Sequence, residues 1–391
     1  MGKKKSRRLV CVMVVFTLLL GILAPAAGAK EPATPELSLE RAVELALAHS
    51  ESVKKAEKEI ERTEEWRQYR AEQLDYIPTA PAGSAAVEVP WARLLASDLE
   101  WRMSKKALAA EKDKVALETC KKYWDVLVAQ EKIKAAEAAL ASARRQLQNA
   151  RVSYWVRLVT QAAVVGAEVE YRKADAALAS ARNDLDKAYE ALNTAVGLWP
   201  QDRPVLTDTV AFEPLEVADL DYEVVKVLES APTVWLAQER VTLQKYLEEM
   251  MFYTGDYRPY KVRKIEVEQA ELDAASAKEM LELFTRSLYY DVKDLEEAYA
   301  TAQEGVRAAE EALRVARLKL EVGMATPADV AAAEKDLAEA KKTAFERACQ
   351  HAYVKLAFAK PWAHLALILS SRGTSSSSGG SPSSSGHPSG Q

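Results

Sequence analysis

The sequence predicts an all-α fold in which two repeats of long coiled-coil helical hairpins form a helical tube. Three observations predict it: an internal duplication, long stretches without Gly or Pro, and apolar residues that recur every seven positions. No Gly or Pro occurs between Pro90 and Gly166. Because a helix rises about 1.5 Å per residue, this stretch can reach roughly 100 Å, far longer than helices of ordinary globular domains.

The duplication covers most of the helical part. Residues 118–174 align without a gap to residues 284–340, at an offset of 166. Identical pairs include Thr119 with Thr285, Tyr123 with Tyr289, Asp125 with Asp291 and Leu147 with Leu313. The opening helices match at a different offset, 181. Two repeats are too few for an open solenoid, which needs at least three units. We therefore expect a closed assembly in which other chains supply the missing neighbours.

The N-terminal segment is typical of an export signal. A basic stretch at 3–8 precedes an apolar stretch at 9–23, and Ala27-Gly28-Ala29 fits a cleavage site. Residues 1–29 are therefore interpreted as a signal peptide, with an uncleaved membrane anchor as the alternative. Removing its five basic residues leaves 48 Lys and Arg against 58 Asp and Glu, a net charge of −10. This charge argues against nucleic acid as a partner.

The Gly and Pro positions divide the rest of the chain. We expect a first helical repeat at 37–199, a linker at 200–218, a second helical repeat at 219–361, and a disordered Ser/Gly/Pro tail at 370–391. Each repeat contains an opening helix, a break, a long helix, a tip and a return helix. The predicted helices run from about 38 to 74, 91 to 156, 162 to 196, 220 to 252, 261 to 322 and 328 to 360.

The long helices carry an apolar seven-residue repeat. In the first return helix Leu178, Leu185 and Leu192 alternate with Ala181 and Ala188. The outgoing helices and the second return helix keep this spacing, the latter through Val330, Leu337, Ala344, His351 and Phe358. A sustained repeat of this period predicts left-handed supercoiling. Frequent Ala outside the repeat indicates that these helices contact neighbours on two sides.

Three segments carry a resemblance to a known family. Residues 37–46 (LSLERAVELA), the linker from Gly197 to Pro214, and the stretch from Arg317 to Glu334 are similar to TolC-type outer-membrane efflux proteins. The resemblance implies a homotrimer whose two-repeat protomers build a twelve-helix tunnel for exported molecules. It also implies docking, through the helix tips, to a membrane-fusion-type adaptor protein and an inner-membrane pump.

The tips are the candidate site. The resemblance assigns adaptor docking to Val322, Gly323, Met324, Ala325 and Thr326, and to the matching Val156, Arg157, Leu158, Val159 and Thr160. The alternative is that both are ordinary turns, in which Gly323 accepts a positive φ and Pro327 starts the next helix. The first copy departs from the pattern, because Arg157 replaces the Gly and Ala163 replaces Asp329.

A second departure concerns the membrane. A spanning strand takes about 9–11 residues, so two strands and a turn need more than roughly 20. The breaks at 75–90 and 254–260 have 16 and 7 residues. We therefore expect a tube without membrane β-barrel strands, exported to the cell envelope, although the resemblance implies the outer membrane. The aromatic cluster Phe252, Tyr253, Tyr257 and Tyr260 could contact a lipid or cell-wall surface, or cover a helix end.

Residues for chemistry are few. No catalytic set, cofactor site or metal site is predicted, and the chain is interpreted as a non-enzyme. His351, on the apolar repeat, is either a hydrogen-bonded core residue or a proton-sensitive latch. Cys120 and Cys349 are interpreted as buried thiols. Two functions remain: an export conduit, or an envelope scaffold and spacer that uses the same coiled coil and conducts nothing.

Overall fold

The computed structural model describes residues 34–74, 85–249 and 259–376. In this part the chain forms two short strands and nine helices, as follows: β1 (Glu36–Leu37), α1 (Leu39–His49), α2 (Glu51–Glu72), α3 (Ala85–Trp155), α4 (Gln161–Val196), β2 (Val205–Leu206), α5 (Leu220–Ser230), α6 (Pro232–Glu249), α7 (Tyr260–Glu321), α8 (Pro327–Ala359) and α9 (Pro361–Ser376). None of the described helices is long and apolar enough to cross a membrane.

The long helices pack side by side in one layer. Toward the two tips the order is α4, α3, α8, α7, with α3 and α8 in the middle. Away from the tips α2 and α6 both pack on α3, and α6 also packs on α7. The layer therefore has one edge formed by α2 and α4 and another formed by α7.

Burial follows the seven-residue spacing. Leu147 of α3, Leu178 and Leu192 of α4, and Leu313 of α7 are buried, whereas the charged residues between them face outward. The pattern ends near the first tip, where Tyr154 is 45% exposed although the repeat predicts a covered position. Tyr154 lies one residue before the end of α3, at the edge of the contact between the two helices.

Both opening helices are split, contrary to the expectation of one helix each. The breaks fall at Ser50 and Ala231, which are equivalent at the offset of 181. Ser50 leaves the helical region with a ψ of 122° and its side chain caps α2 by accepting from Val53 N at 3.4 Å. Ala231 precedes Pro232, and a residue before proline is disfavoured in the helical region.

Tyr123 of α3 connects the N-terminal segment and the linker to the first repeat. Its buried hydroxyl donates to Leu37 O at 3.0 Å and accepts from Asp208 N at 3.1 Å. The same junction contains β1 and β2, which pair in parallel. These two-residue strands were not predicted, because their pairing depends on tertiary contacts rather than on a local pattern.

The helix α9 was also not predicted. The sequence suggested that the last helix ends near Lys360 and that disorder begins at Ser370, whereas α9 continues to Ser376. Its first turn is buried, and Asp113 of α3 accepts from Lys360 Nζ at 2.5 Å and from Trp362 Nε1 at 3.0 Å. The helix is stabilised by this packing rather than by its own sequence.

Several expectations fall outside the described residues. These are the signal peptide at 1–29, most of the two breaks, the aromatic residues 252, 253 and 257, and the tail beyond 376. The first break is shorter than expected at its C-terminal end, because α3 begins at Ala85 and includes Pro90. Pro90 lies in the second turn, where it lacks the N–H that would donate to the carbonyl of residue 86, and the helix continues past this single missing bond.

Candidate functional site: two apolar helix tips

The first tip, residues 156–160, closes the α3–α4 hairpin with a Schellman motif. Leu158 N donates to Ser153 O at 2.8 Å, and Arg157 N donates to Tyr154 O at 2.9 Å. Arg157 sits between them in the left-handed region, with a φ of 60°. These two hydrogen bonds satisfy carbonyls that would otherwise be free at the helix end.

The second tip, residues 322–326, closes the α7–α8 hairpin with the same motif. Met324 N donates to Lys319 O at 2.7 Å, and Gly323 N donates to Leu320 O at 3.0 Å. Gly323 has a φ of 75°, as its sequence position predicts. The two tips thus share one backbone geometry, with Gly in one and Arg in the other.

The start of the return helix differs between the tips. Thr326 and Asp329 form a reciprocal capping box: Asp329 N donates to Thr326 Oγ1 at 3.3 Å, and Thr326 N donates to Asp329 Oδ2 at 2.7 Å. The hydrogen bonds from Thr326 lower the pKa of Asp329. Thr160 makes no side-chain capping bond, and Ala163 has no carboxylate that could accept from the Thr160 N–H.

Both tips expose large apolar side chains. Of the ten candidate residues, Val159 and Ala325 are half-buried and the other eight are exposed. Leu158 and Met324, at equivalent positions, are both 78% exposed. Trp155 lies directly before the first tip and is 86% exposed. Apolar groups left in water at such a density indicate an interaction surface.

The two tips project from the same end of the layer. The helices α3 and α8 run antiparallel, with Asp113 opposite Lys360 and Lys132 beside Glu346 in one groove. Continuing this register toward the C-terminus of α3 and the N-terminus of α8 brings the two turns to the same end. A partner that approaches this end would meet both tips.

Sequence reasoning missed part of this surface. Trp155, Val152 and Leu318 on the outgoing helices and Val165 and Val169 on α4 are exposed apolar residues beside the tips. They lie outside the seven-residue repeat that points toward the neighbouring helix. The signal was therefore present in the sequence, as apolar residues at positions that the repeat leaves on the outside.

His351 is buried without a full set of partners. It is 1% exposed, its Nε2 lies 3.6 Å from Glu296 Oε1, and that nitrogen has no hydrogen bond in the described part of the chain. Burial lowers the pKa of His351, against the opposing effect of the Glu296 carboxylate. Of the two expectations, the burial of His351 fits the core histidine, with the Glu296 carboxylate as the polar group beside Nε2.

The thiols offer no reactive group. Cys120 and Cys349 are buried and free, and burial raises their pKa values to about 11 and about 12. Both are therefore protonated at neutral pH, and a protonated thiol is a poor nucleophile. Among the residues that the structure describes, no group of His, Cys, Asp and Glu is arranged to hold a metal ion.

No protein-family model and no curated protein matches this sequence. Solved structures do match it. The outer membrane protein VceC of Vibrio cholerae has 15% identity and a TM-score of 0.60, over 83% of this chain and 95% of VceC. The outer-membrane channel OprN has 12% identity and a TM-score of 0.63, over 83% and 90%. The CmeC outer membrane channel of Campylobacter jejuni has 13% identity and a TM-score of 0.61, over 87% and 91%.

The chain therefore has the fold of the TolC-type outer membrane channels, as its sequence predicted. The all-α arrangement of two repeats of long hairpins is confirmed. At identities of 10 to 17% these likenesses establish the fold alone.

Proposed function

We propose that this chain is the protomer of an exported, homotrimeric helical conduit, which docks through its tips to a membrane-fusion-type adaptor protein and an inner-membrane pump. The observation that carries this proposal is the pair of equivalent apolar tips at one end of the layer. The fold of the chain and its predicted signal peptide support export to the cell envelope. The interaction surface and the scarcity of reactive groups favour transport over catalysis.

The docking part of the proposal rests on rigidity as well as exposure. Each tip is fixed by two backbone hydrogen bonds, so its apolar side chains are held in place before a partner arrives. Preorganised apolar anchors lose less entropy on binding than mobile ones. A turn whose only purpose is to reverse the chain has no need for exposed Leu158, Val322 and Met324.

In-cell cross-linking tests docking. A photo-cross-linking amino acid at Met324 should capture an adaptor-type protein with a helical hairpin, whereas the same group at exposed Lys187, far from the tips, should not. Replacing Gly323 with Val should abolish capture while the helix content by circular dichroism stays unchanged. Equal capture by Gly323→Val would reduce the tip to a plain turn.

The trimeric part of the proposal rests on the edges of the layer. The α7 edge exposes Leu272, 70% exposed, and Leu283 and Tyr290, which are seven residues apart. The opposite edge exposes Trp66 and Tyr69 of α2. The two edges differ, so copies would join head to tail, and such contacts form a closed ring when the rotation allows it. The seven-residue spacing fits helix packing across that contact.

Light scattering tests the trimer. The chain from Lys30 onward should give about three times the protomer mass, and Leu272→Glu with Leu283→Glu should reduce it to the monomer because two charges would be buried at the contact. Val152→Glu, an exposed apolar position at the tip, is the matched control and should leave the trimer intact. A wild-type monomer at micromolar concentration would contradict the ring.

A conduit exports compounds from the cell, whereas a spacer does not, so an accumulation assay distinguishes them. A deletion strain should accumulate compounds from a panel of fluorescent dyes and antibiotics, and wild-type protein should reverse this accumulation. A Gly323→Val protein should fail to reverse it if docking is needed for export. Unchanged accumulation in the deletion strain would favour the spacer.

A further inference from the structure

The two hairpin ends carry opposite charge. We define the first hairpin end as residues 138–167 and the second as 304–333, which are equivalent at the offset of 166. The first contains four Arg and no Lys, Asp or Glu, whereas the second contains four basic and five acidic residues. The net charges are +4 and −1, in a chain whose overall charge is −5. The first hairpin end is therefore a local basic region on an acidic protein.

The arginines of the two hairpin ends also differ in whether they form ion pairs. In the second hairpin end Arg307 and Arg314 pair with Glu304 and Glu311, both at 2.6 Å. Arg317 pairs at 3.0 Å with Glu334, one residue beyond that end, whose equivalent in the first repeat is Glu168. In the first, all four arginines are exposed, and none lies within 4.0 Å of a carboxylate in the part of the chain that the structure describes. They are Arg144, Arg145, Arg151 and Arg157. Their charge is not neutralised within the protomer.

An aromatic anchor accompanies this charge. Trp155 is the most exposed large apolar side chain among the described residues, and its equivalent in the second repeat is Glu321. Trp and Arg are, with Tyr, the residue types most enriched among those that dominate binding energies. A Trp that shares one helix face with Arg151 and Arg144, four and eleven residues before it, is thus complementary to an apolar pocket beside acidic groups.

We propose that the first hairpin end binds an acidic surface on the helical hairpin of the adaptor, with Trp155 as its apolar anchor, whereas the second tip binds without net electrostatic attraction. This inference rests on the proposed function, since it specifies the chemistry of the partner at the same site. Charge complementarity of this kind steers encounter and selects among partners.

The arrangement of the arginines favours a protein partner over an anionic lipid surface. Arg144 and Arg157 are thirteen residues apart, which is about 20 Å along a helix. A flat bilayer that meets the tip end-on would reach Arg157 and leave Arg144 far outside. A helical hairpin that lies alongside α3 would reach both Arg144 and Arg151, which are seven residues apart on one face of the helix.

The experiment compares two cross-linking positions in cells that express the full chain. One photo-cross-linking group is placed at Val152, on the flank of the first hairpin end, and the other at Met324. The charge-reversal variant Arg144→Glu with Arg151→Glu should lower the Val152 cross-linking rate by about tenfold or more, because steering contributes at least that factor to association. Cross-linking at Met324 should change much less.

Two controls separate charge from structure. Arg144→Lys with Arg151→Lys keeps the charge and should keep cross-linking at Val152. Lys319→Glu reverses an exposed basic residue of the second hairpin end and should leave the Val152 product unchanged. The product should also fall when cell envelopes are irradiated in 0.15 M rather than 0.01 M salt, since the Debye length shrinks from about 30 to about 8 Å and the complex is weaker before it is cross-linked.

The outcomes distinguish this inference from the proposed function. If the group at Met324 captures the adaptor and the amount of Val152 product is the same with and without charge reversal, the inference is overturned and the conduit proposal is unaffected. No adaptor at either position would contradict docking itself. Binding of the purified chain to phosphatidylcholine vesicles only when they contain phosphatidylglycerol, with no protein product at Val152, would overturn the inference in favour of a lipid surface. A Val152 product with a second copy of this chain would also overturn it.

Discussion

The two hairpins end in turns of the same backbone geometry that carry different side chains. Both tips form the same pair of Schellman hydrogen bonds, one around Gly323 and the other around Arg157. Outside glycine the left-handed region costs about 1–2 kcal/mol, so the first tip is intrinsically strained and the second is not. The comparison teaches that hydrogen bonding at the helix end sets the geometry of the turn, while the side chains are free to set its surface.

The bases of the hairpins differ in a second way. Tyr123 and Tyr289 are equivalent, but in the described part of the chain only the Tyr123 hydroxyl hydrogen-bonds to other segments, at Leu37 and Asp208. Tyr289 packs against Phe358, with ring centroids 6.1 Å apart. The N-terminal segment thus binds to the first repeat, whereas the linker contacts both repeats: Leu215 O also accepts from Lys293 Nζ at 2.8 Å, and Phe212 stacks on Tyr299.

Replacing each tyrosine with Phe should give the largest difference in stability between the two repeats. Tyr123→Phe should lower the free energy of unfolding by about 1–3 kcal/mol, because two backbone groups near the core lose their partner. Tyr289→Phe should cost much less, since its hydroxyl makes no hydrogen bond within the described residues. Urea unfolding followed by circular dichroism measures both, and equal costs would show that the Tyr123 bonds contribute nothing.

The second prediction concerns His351, whose equivalent in the first repeat is Leu185. His351→Leu should raise the free energy of unfolding by about 1–3 kcal/mol, because it removes a buried nitrogen without a hydrogen bond. Leu185→Ala, a cavity at the equivalent position, should instead destabilise the protein. A loss of stability in His351→Leu would mean that the imidazole is satisfied.

The contribution of His351 to the free energy of unfolding changes with pH in a definite direction. Burial lowers its pKa in the folded chain, so its neutral form is favoured there over the unfolded chain. The wild type should therefore lose stability as pH falls below about 6.5, the unfolded value. Glu296 opposes this loss, whereas Lys293 and Lys355 add to it. His351→Leu should flatten the unfolding curve between pH 7 and pH 5.

Sequence reasoning succeeded where structure follows from local periodicity. The long helices, both turns and the position of Gly323 follow from spacing and from the sparse Gly and Pro. It failed where tertiary contacts decide. The helix α9 depends on Asp113, 247 residues before Lys360, and the β1–β2 pair depends on the Tyr123 junction. The break at Ala231 was readable from Pro232, but the sequence analysis placed a single helix from about 220 to 252 across it.

The next prediction concerns Arg157 and Gly323, the tip residues whose backbone lies in the left-handed region, and their effect on the stability of each hairpin. Arg157→Gly should stabilise the first hairpin by about 1 kcal/mol through relief of strain, and Gly323→Ala should destabilise the second by a similar amount. No atom lies within 4 Å of a Cβ built on Gly323, so φ alone causes the cost. Amide exchange of the two tips measures both changes, and an unchanged first tip would mean that Arg157 is not strained.

The smallest expected effect lies in the helix caps. Thr326→Ala removes a capping box and should cost about 1 kcal/mol, whereas Thr160→Ala should cost a few tenths at most, because Thr160 makes no capping bond. Asp329 adds a pH signature. Its pKa is lowered by hydrogen bonds from Thr326, so its contribution is present above the unfolded value of about 4 and is lost as pH falls through the folded value. The amides of Asp329 and Val330 should therefore lose exchange protection in acid sooner than those of Ala163 and Val164. Equal loss at both tips would show that the capping box does not hold the start of α8, and that the two tips differ only in their exposed side chains.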